Sequence, residues 1–305
     1  MFAPSGLLQI ALALVLAPLI LSIINRTKAV FAGRRGQAWL QPYYDLAKLL
    51  RKSAVYSHTT TPVFVAGPLV GCAAAFVALW FVPVGGFPAV FSFPADFLLV
   101  AYLLGVGRFF TILAALDTGS SFEGMGASRE AFFSSLAEPA LMLSFAALAA
   151  FSHRASLTEI YASLGGSVLA SAVGPGIMLV AAAMMVVFLA ENARIPIDDP
   201  NTHLELTMIH EVMVLDHSGP DFALIQYGAC LKLWIVGCLL VGMITPMRTG
   251  LFLADLVAGL AGLALLAVLT GVIESVMSRL RLVRVPQLLI AASLLSAVAF
   301  ALVMR

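Results

Sequence analysis

The sequence predicts an all-α integral membrane protein of about eight transmembrane helices, with an interfacial amphipathic helix and a helix in a cytoplasmic loop. Three observations predict it. Hydrophobic residues make up 61% of the 305 residues and charged residues 11%, against about 45–50% and about 25% in soluble domains. The apolar residues are gathered into runs of about 20, the length at which a helix crosses the hydrocarbon layer. The runs are continuous rather than alternating, so they read as helices that satisfy their own backbone and not as barrel strands. This composition excludes disorder, and a net charge of +1 offers no global field for nucleic acid.

In chain order the spans fall at about 5–25, 63–82, 97–116, 132–152, 172–190, 223–244, 252–273 and 287–304. The N-terminus, MFAPSGLLQ, has no basic n-region, so 5–25 reads as a retained first helix rather than a signal peptide. Residues 39–52, WLQPYYDLAKLLRK, place Trp39, Tyr43, Leu46, Leu49 and Leu50 on one half of a helical wheel and Gln41, Tyr44, Asp45, Lys48, Arg51 and Lys52 on the other. That is a helix lying in the interface, either as a plain anchor or as the frame of a docking surface. Asp199 before Pro200 is a helix-start signature and Gly219-Pro220 reads as a stop, so 200–217 is expected to be helical. No internal repeat is visible, which argues against a stand-alone secondary transporter built on inverted repeats. The whole chain, 1–305, reads as a single polytopic domain.

Lys and Arg set the orientation. Loops at about 26–62, 117–131, 191–222 and 274–286 carry twelve of the seventeen, and the opposite side carries three. The bias puts these loops in the cytoplasm and both termini outside. The first loop is strongly basic and includes Arg34 and Arg35 between glycines, suited to a carboxylate-rich partner. Residues 191–222 hold seven acids against Arg194.

Ionisable groups inside spans are costly and each needs a reason. Arg108, Glu138 and Lys232 lie deep, and with both signs present they are candidates for proton transfer. Glu191 and Arg194 close the fifth span, while Asp255 and Glu274 read as internal ion pairs or snorkelling ends. His203, His210 and His217 recur every seven residues. On one helix they would form a stripe with about 10 Å between neighbours, too far apart for one metal ion with bonds of about 2 Å. They read as structural, interface or proton-relay groups. Cys72, Cys230 and Cys238 sit in apolar runs without ligand spacing, so no metal or cluster is expected on this chain.

Four segments together resemble a known family: GRRGQAWLQPYYDLAKLLRK, GRFFTILAALDTGSSFEGMGASRE, the Glu138 span with AEPALML, and ENARIPIDDPNTHLEL. They are similar to the membrane subunit of energy-converting nickel–iron hydrogenases and formate hydrogenlyase, which is related to the quinone-site membrane subunit of respiratory complex I. The resemblance covers most of the chain in order. It implies a non-catalytic anchor in a bacterial or archaeal cytoplasmic membrane, beneath hydrogenase-like large and small subunits and an iron–sulfur subunit that carry the nickel–iron and iron–sulfur centres. It also implies antiporter-like membrane partners. A quinone would enter only under the complex I alternative. The implied proton path is Glu138, Arg108, Lys232, Glu191 and Glu205, with Glu138 as the buried acid. The implied docking residues are Arg34, Arg35, Asp45, Lys48, Asp117, Glu123, Arg129, Glu130, Arg194 and Asp198. Where the family shows the acid-rich PFDxxEAEQEL, this chain has Asn201 and His203 at acid positions and keeps Glu205.

Overall fold

A computed structural model of the protein describes residues 5–165, 174–198, 208–244 and 251–304. Its helices are α1 (Ser5–Phe31), α2 (Gln41–Leu50), α3 (Pro62–Ala78), α4 (Asp96–Asp117), α5 (Ser121–Ser152), α6 (Leu157–Ser163), α7 (Gly174–Glu191), α8 (Gly219–Ile244), α9 (Phe252–Val276) and α10 (Val285–Val303). Single 3₁₀ turns lie at Glu211–Val214 and Leu282–Arg284. Among the described residues, seven helices are long and apolar enough to cross a membrane. The eighth expected span is α3, whose 17 residues sit at the short end of what spans the hydrocarbon. The all-α membrane class is borne out.

The bundle is organised around α8. Apolar residues surround it on every side, and it packs against α1, α2, α3, α7 and α9. A helix that is hydrophobic all round belongs in an interior. On one flank α3 and α4 lie together, and on the other α5 and α7 pair with α10. Small residues set the close approaches, as is usual where lipid supplies no hydrophobic drive between helices. A methyl group on Gly67 of α3 would sit 2.7 Å from Ala114 Cβ of α4. One on Gly126 of α5 would collide with Val212 Cγ1, so the segment after residue 208 lies directly on α5.

The structure corrects the sequence reading in four places. The expected third loop, 117–131, is mostly helix: α5 begins at Ser121, following Gly119 in the left-handed region (φ 70°). With 32 residues, α5 is about 48 Å long and projects past the membrane. Gly219-Pro220 starts α8 rather than stopping a helix, with proline in the first turn where its missing N–H costs nothing. Gly219 has φ 56°, and a side chain there would meet Ser53 O at 2.8 Å. The loop helix expected over 200–217 is, across 208–217, only the 3₁₀ turn at Glu211–Val214; positions 199–207, with His203 and Glu205, lie outside the described residues. Lastly, α6 was not anticipated. Its start is satisfied from a distance, with Leu157 N–H donating to Asp96 Oδ1 at 2.7 Å and Ser156 hydroxyl to Asp96 Oδ2 at 2.9 Å.

The first loop is tied back onto α1. The Ser22 hydroxyl donates to Trp39 O at 2.7 Å, and Arg26 lies 4.3 Å above the Trp39 ring. Trp39, Tyr44 and Leu50 remain exposed, as expected of a helix lying at the interface.

Candidate functional site

Glu191 is the last residue of α7, and its position follows from how that helix ends. Arg194 N–H bonds Leu189 O at 2.9 Å and Ala193 N–H bonds Ala190 O at 3.2 Å, with Ala193 left-handed at φ 50°. This is the double-bonded C-terminal cap usually built on glycine. It reverses the chain within one turn, so Glu191 and Arg194 point into the bundle, and both are buried.

There Glu191 receives two cations from two other helices. Arg108 of α4 is paired with its Oε1, and Lys232 Nζ of α8 lies 2.9 Å from its Oε2. Arg108 Nε also lies 3.4 Å from Glu130 Oε1 of α5. Four helices thus contribute one charge each to a cluster of two acids and two bases. Buried charges persist in a low-dielectric interior only with such pairing. Glu130 continues the chain: His210 Nδ1 lies 3.4 Å from its Oε2 and 3.9 Å from Asp198 Oδ2. Asp198 also accepts His210 N–H at 3.0 Å and pairs with Arg279 at 2.9 Å. A second group sits beside it. Glu274 of α9 takes Lys28 at 2.7 Å and Arg194 at 3.4 Å, which is the ion pair of the two readings left open for that acid and not the snorkelling end.

Three cavities touch the first cluster. The largest of the three, about 350 Å³, lies between α1, α2 and α8; its lining mixes apolar side chains with Asn25, Asp45, Asn192, His210 and Lys232, and Glu191 stands in its wall. A second, about 130 Å³ and mostly apolar, lies between α3, α4 and α8 and ends at Arg108 and Lys232. A third, about 20 Å³, lies between Glu130, Glu191 and His210, which is room for about one water molecule.

The structure therefore brings together Arg108, Lys232, Glu191 and Glu130, with Arg194 and Asp198 close by. It separates others. Glu138 is not a buried acid of this chain: it lies on the exposed side of α5. The helical period carries it there, one residue past buried Ala137. Of the expected docking residues, Glu123, Glu130, Arg194 and Asp198 are buried, and their side chains face partners inside the chain. Glu123 accepts Asp216 N–H at 3.2 Å. Arg129 donates to Met208 O at 3.0 Å and so holds the 208–217 segment onto α5. Asp117 accepts Thr61 N–H at 2.6 Å and the Thr61 hydroxyl at 2.8 Å, joining the start of α3 to the end of α4. Arg34, Arg35, Asp45 and Lys48 are exposed. His210 is the residue that sequence reasoning left out of the site. Its heptad spacing drew attention, but nothing local announced Glu130, 80 residues earlier. His210 and His217 share no helix face, because no continuous helix joins them. His217 instead stacks on Phe64 at 3.9 Å, and its burial lowers its pKa against the pull of Asp221 and Asp216.

Residues 5–305 match the NADH dehydrogenase family. The chain belongs to that family. The resemblance read from four segments is thereby borne out, and individual relatives sharpen it. The chain is 29% identical over 289 residues to formate hydrogenlyase subunit 4 of Escherichia coli K12, covering 92% of each protein. It is 29% identical over 283 residues to hydrogenase-4 component C of the same organism, covering 90% of this chain and 87% of the other. The fold matches a chain of the membrane-bound sulfane sulfur reductase, an archaeal respiratory membrane complex. The TM-score is 0.84, with 20% identity and 98% coverage of both chains. At that identity the likeness is one of fold.

Proposed function

We propose that this chain is the non-catalytic membrane subunit of a hydrogenase or formate hydrogenlyase type of complex, where it docks a soluble redox arm and passes protons toward antiporter-like membrane partners. The observation that carries the reading is Glu191 held between Arg108 and Lys232 at the wall of the chamber between α1, α2 and α8. A carboxylate balanced between two cations keeps its charge while both are in place, and gains proton affinity when one withdraws. Lys232 borders the chamber and has room to move. Glu130 and His210, with space for one water between them and Glu191, offer the next positions for a proton. Glu205 stays in the proposed path on the strength of the family pattern alone.

In this reading the chain binds no cofactor, and the nickel–iron and iron–sulfur centres belong to the soluble large, small and iron–sulfur subunits. The exposed Arg34, Arg35, Asp45 and Lys48 form the docking face. The basic loops lie in the cytoplasm of a bacterium or archaeon, with both termini outside.

A second reading, a quinone-site subunit of the complex I type, is favoured by one specific feature. The largest of these three cavities adjoins the amphipathic helix α2 and mixes Leu21, Val214 and Phe222 with the donors Asn192, His210 and Lys232, a lining that would suit an apolar molecule with carbonyl oxygens. Purification of the intact complex from its native membrane decides between them. Hydrogenase-like subunits with nickel and iron support the first reading. Quinone-reducing activity without nickel supports the second. A chain recovered alone, with transport activity of its own, overturns both.

A further inference from the structure

We propose that the basic loop between α9 and α10 binds the headgroup of an anionic phospholipid, held by Arg281 and Arg284 with its acyl chains along the outer faces of the two helices. The loop, 277–284, carries three arginines. Arg279 is spent inside the chain: it pairs with Asp198 at 2.9 Å and is mostly buried. Arg281 and Arg284 are exposed and form no ion pair among the described residues.

The local fold aims these two at one place. Arg284 N–H donates to Arg281 O at 2.8 Å and closes the 3₁₀ turn at Leu282–Arg284. Residues three apart on such a turn stand one above the other, so both guanidinium groups leave the loop on the same side. Each presents a fork of N–H donors that matches phosphate oxygens. The turn is also fixed in place. Leu280 N–H donates to Pro196 O at 2.9 Å, and Arg279 is held on Asp198, so the loop is pinned to the segment after α7. Two like charges held on one rigid face repel, and an anion between them removes that cost.

The surroundings choose a lipid over a soluble anion. Val276 is 70% exposed and Val283 79% exposed, on either side of Arg281. Valine and arginine side by side are both satisfied at the boundary between tails and headgroups. Away from the loop, α9 leans on α1 and α8, and α10 leans on α5 and α7, rather than on each other. The outward faces are apolar: Leu265, Val268 and Leu269 of α9 and Ile290, Leu294 and Val298 of α10 are exposed. Such bulky side chains suit fluid acyl chains, whereas close approach of another helix favours small residues. An anionic headgroup is preferred because a zwitterionic one brings its own cation toward the two arginines.

The inference needs only the membrane fold and not the proposed role in a complex. The protein is taken from its native membrane with its accompanying subunits and placed in phosphatidylcholine vesicles. These contain a trace of phosphatidylglycerol, or of phosphatidylcholine, with a photo-reactive group on one acyl chain. Phosphatidylglycerol should give roughly tenfold more adduct on α9 and α10, the preference that two arginines at a membrane surface supply. Arg281→Gln with Arg284→Gln should reduce it to the phosphatidylcholine level. Arg51→Gln with Lys52→Gln removes the same charge from another exposed basic pair and should leave the preference intact. Equal adducts from the two lipids overturn the proposal, as does a preference that survives the loss of Arg281 and Arg284 or that falls equally in the Arg51 and Lys52 variant. Abolition by inorganic phosphate in the buffer overturns it too, by making the pair a site for the free ion. A second measurement leaves both arginines in place and puts p-benzoylphenylalanine at Val283. Its adduct should be to phosphatidylglycerol; an adduct to any protein subunit shows that protein covers the loop and overturns the proposal.

Discussion

Glu191 and Lys232 can be tested as a pair in a way that separates structural from functional roles. At 2.9 Å and an effective dielectric of about 20, their attraction is about 6 kcal/mol before desolvation. Breaking one side of a buried pair costs about 3–5 kcal/mol, because the other charge is left without its partner. Glu191→Gln alone leaves Lys232 unpaired and Arg108 with only Glu130 at 3.4 Å. Lys232→Met alone leaves Glu191 with Arg108. Each single variant should therefore lose about 3–5 kcal/mol of stability in lipid–detergent micelles. The double variant removes one charge of each sign and keeps the cluster neutral. It should be more stable than the sum of the single losses predicts by about 3 kcal/mol, the range in which neighbouring residues couple. Redox-driven proton uptake into inverted vesicles is then measured on the assembled complex. If Glu191 carries protons, translocation stays lost in the double variant although stability has returned. Translocation that returns together with stability would refute the proton-transfer reasoning and leave an ion pair that only holds helices together.

Other outcomes follow from the same geometry. Arg35→Glu should release the soluble arm from membranes at physiological salt while this chain remains inserted, since a lost desolvated charge partner costs about 2–5 kcal/mol; an arm that stays bound after reversal of both Arg34 and Arg35 places the docking face elsewhere. In a background with Cys72, Cys230 and Cys238 replaced, Ser57→Cys should resist an impermeant thiol reagent in intact cells and Ala155→Cys should react with it; both positions are exposed, and the reverse pattern inverts the topology. Burial of His217 favours its neutral form in the folded chain. Its contribution to stability is therefore complete above the ordinary histidine pKa of about 6.5 and declines as pH falls below that value through the lowered folded pKa. The thermal midpoint of the purified complex should fall on acidification below about pH 6.5. The fall should be weaker in His217→Phe, which keeps a ring against Phe64, and an equal pH dependence in both proteins removes His217 as its cause.

Runs of apolar residues revealed the spans because a lipid-crossing helix must be apolar over its whole length, a demand that acts residue by residue. The deep charges were legible for the same reason: Arg108 and Lys232 stand out against their own surroundings. Their partners were not, because Arg108 meets Glu191 83 residues away and nothing in either segment encodes the meeting. The start of α5 was hidden by its polarity. LDTGSSFEGMGASRE looks like a loop to a reader of hydropathy, yet from Ser121 onward it is helix. Gly126 sits where the 208–217 segment must come close, and Glu123 and Glu130 are turned inward. The facing of Glu138 had a signal that went unread. Phe133, Ala137, Ala140 and Leu141 form the buried stripe of α5, and Glu138 falls on the opposite stripe with Ser135 and Ala131.

The two oppositely charged loops raise a question that composition alone left open, since they could neutralise each other or turn to partners. They meet, but without an ion pair among the described residues: Ser218 Oγ accepts Val55 N–H at 3.2 Å, Gly219 lies against Ser53, and the Tyr56 hydroxyl bonds the Asp221 carboxylate. Two acids of this stretch turn inward, Glu191 onto Arg108 and Lys232 and Asp198 onto Arg279 and His210, while Asp216 is exposed. Of the first loop's basic residues, Lys28 is taken by Glu274 and Arg26 by Trp39 and Gln37 O, and the others are left over. Arg34, Arg35, Lys48, Arg51 and Lys52 are exposed and form no ion pair among the described residues. Electrostatic complementarity on the proposed docking face therefore asks for an acidic partner surface. That face is not remote from the buried cluster. Asp45 and Pro42 of α2 line the same chamber as Glu191 and Lys232, so a partner that presses on α2 borders the space through which Lys232 would move.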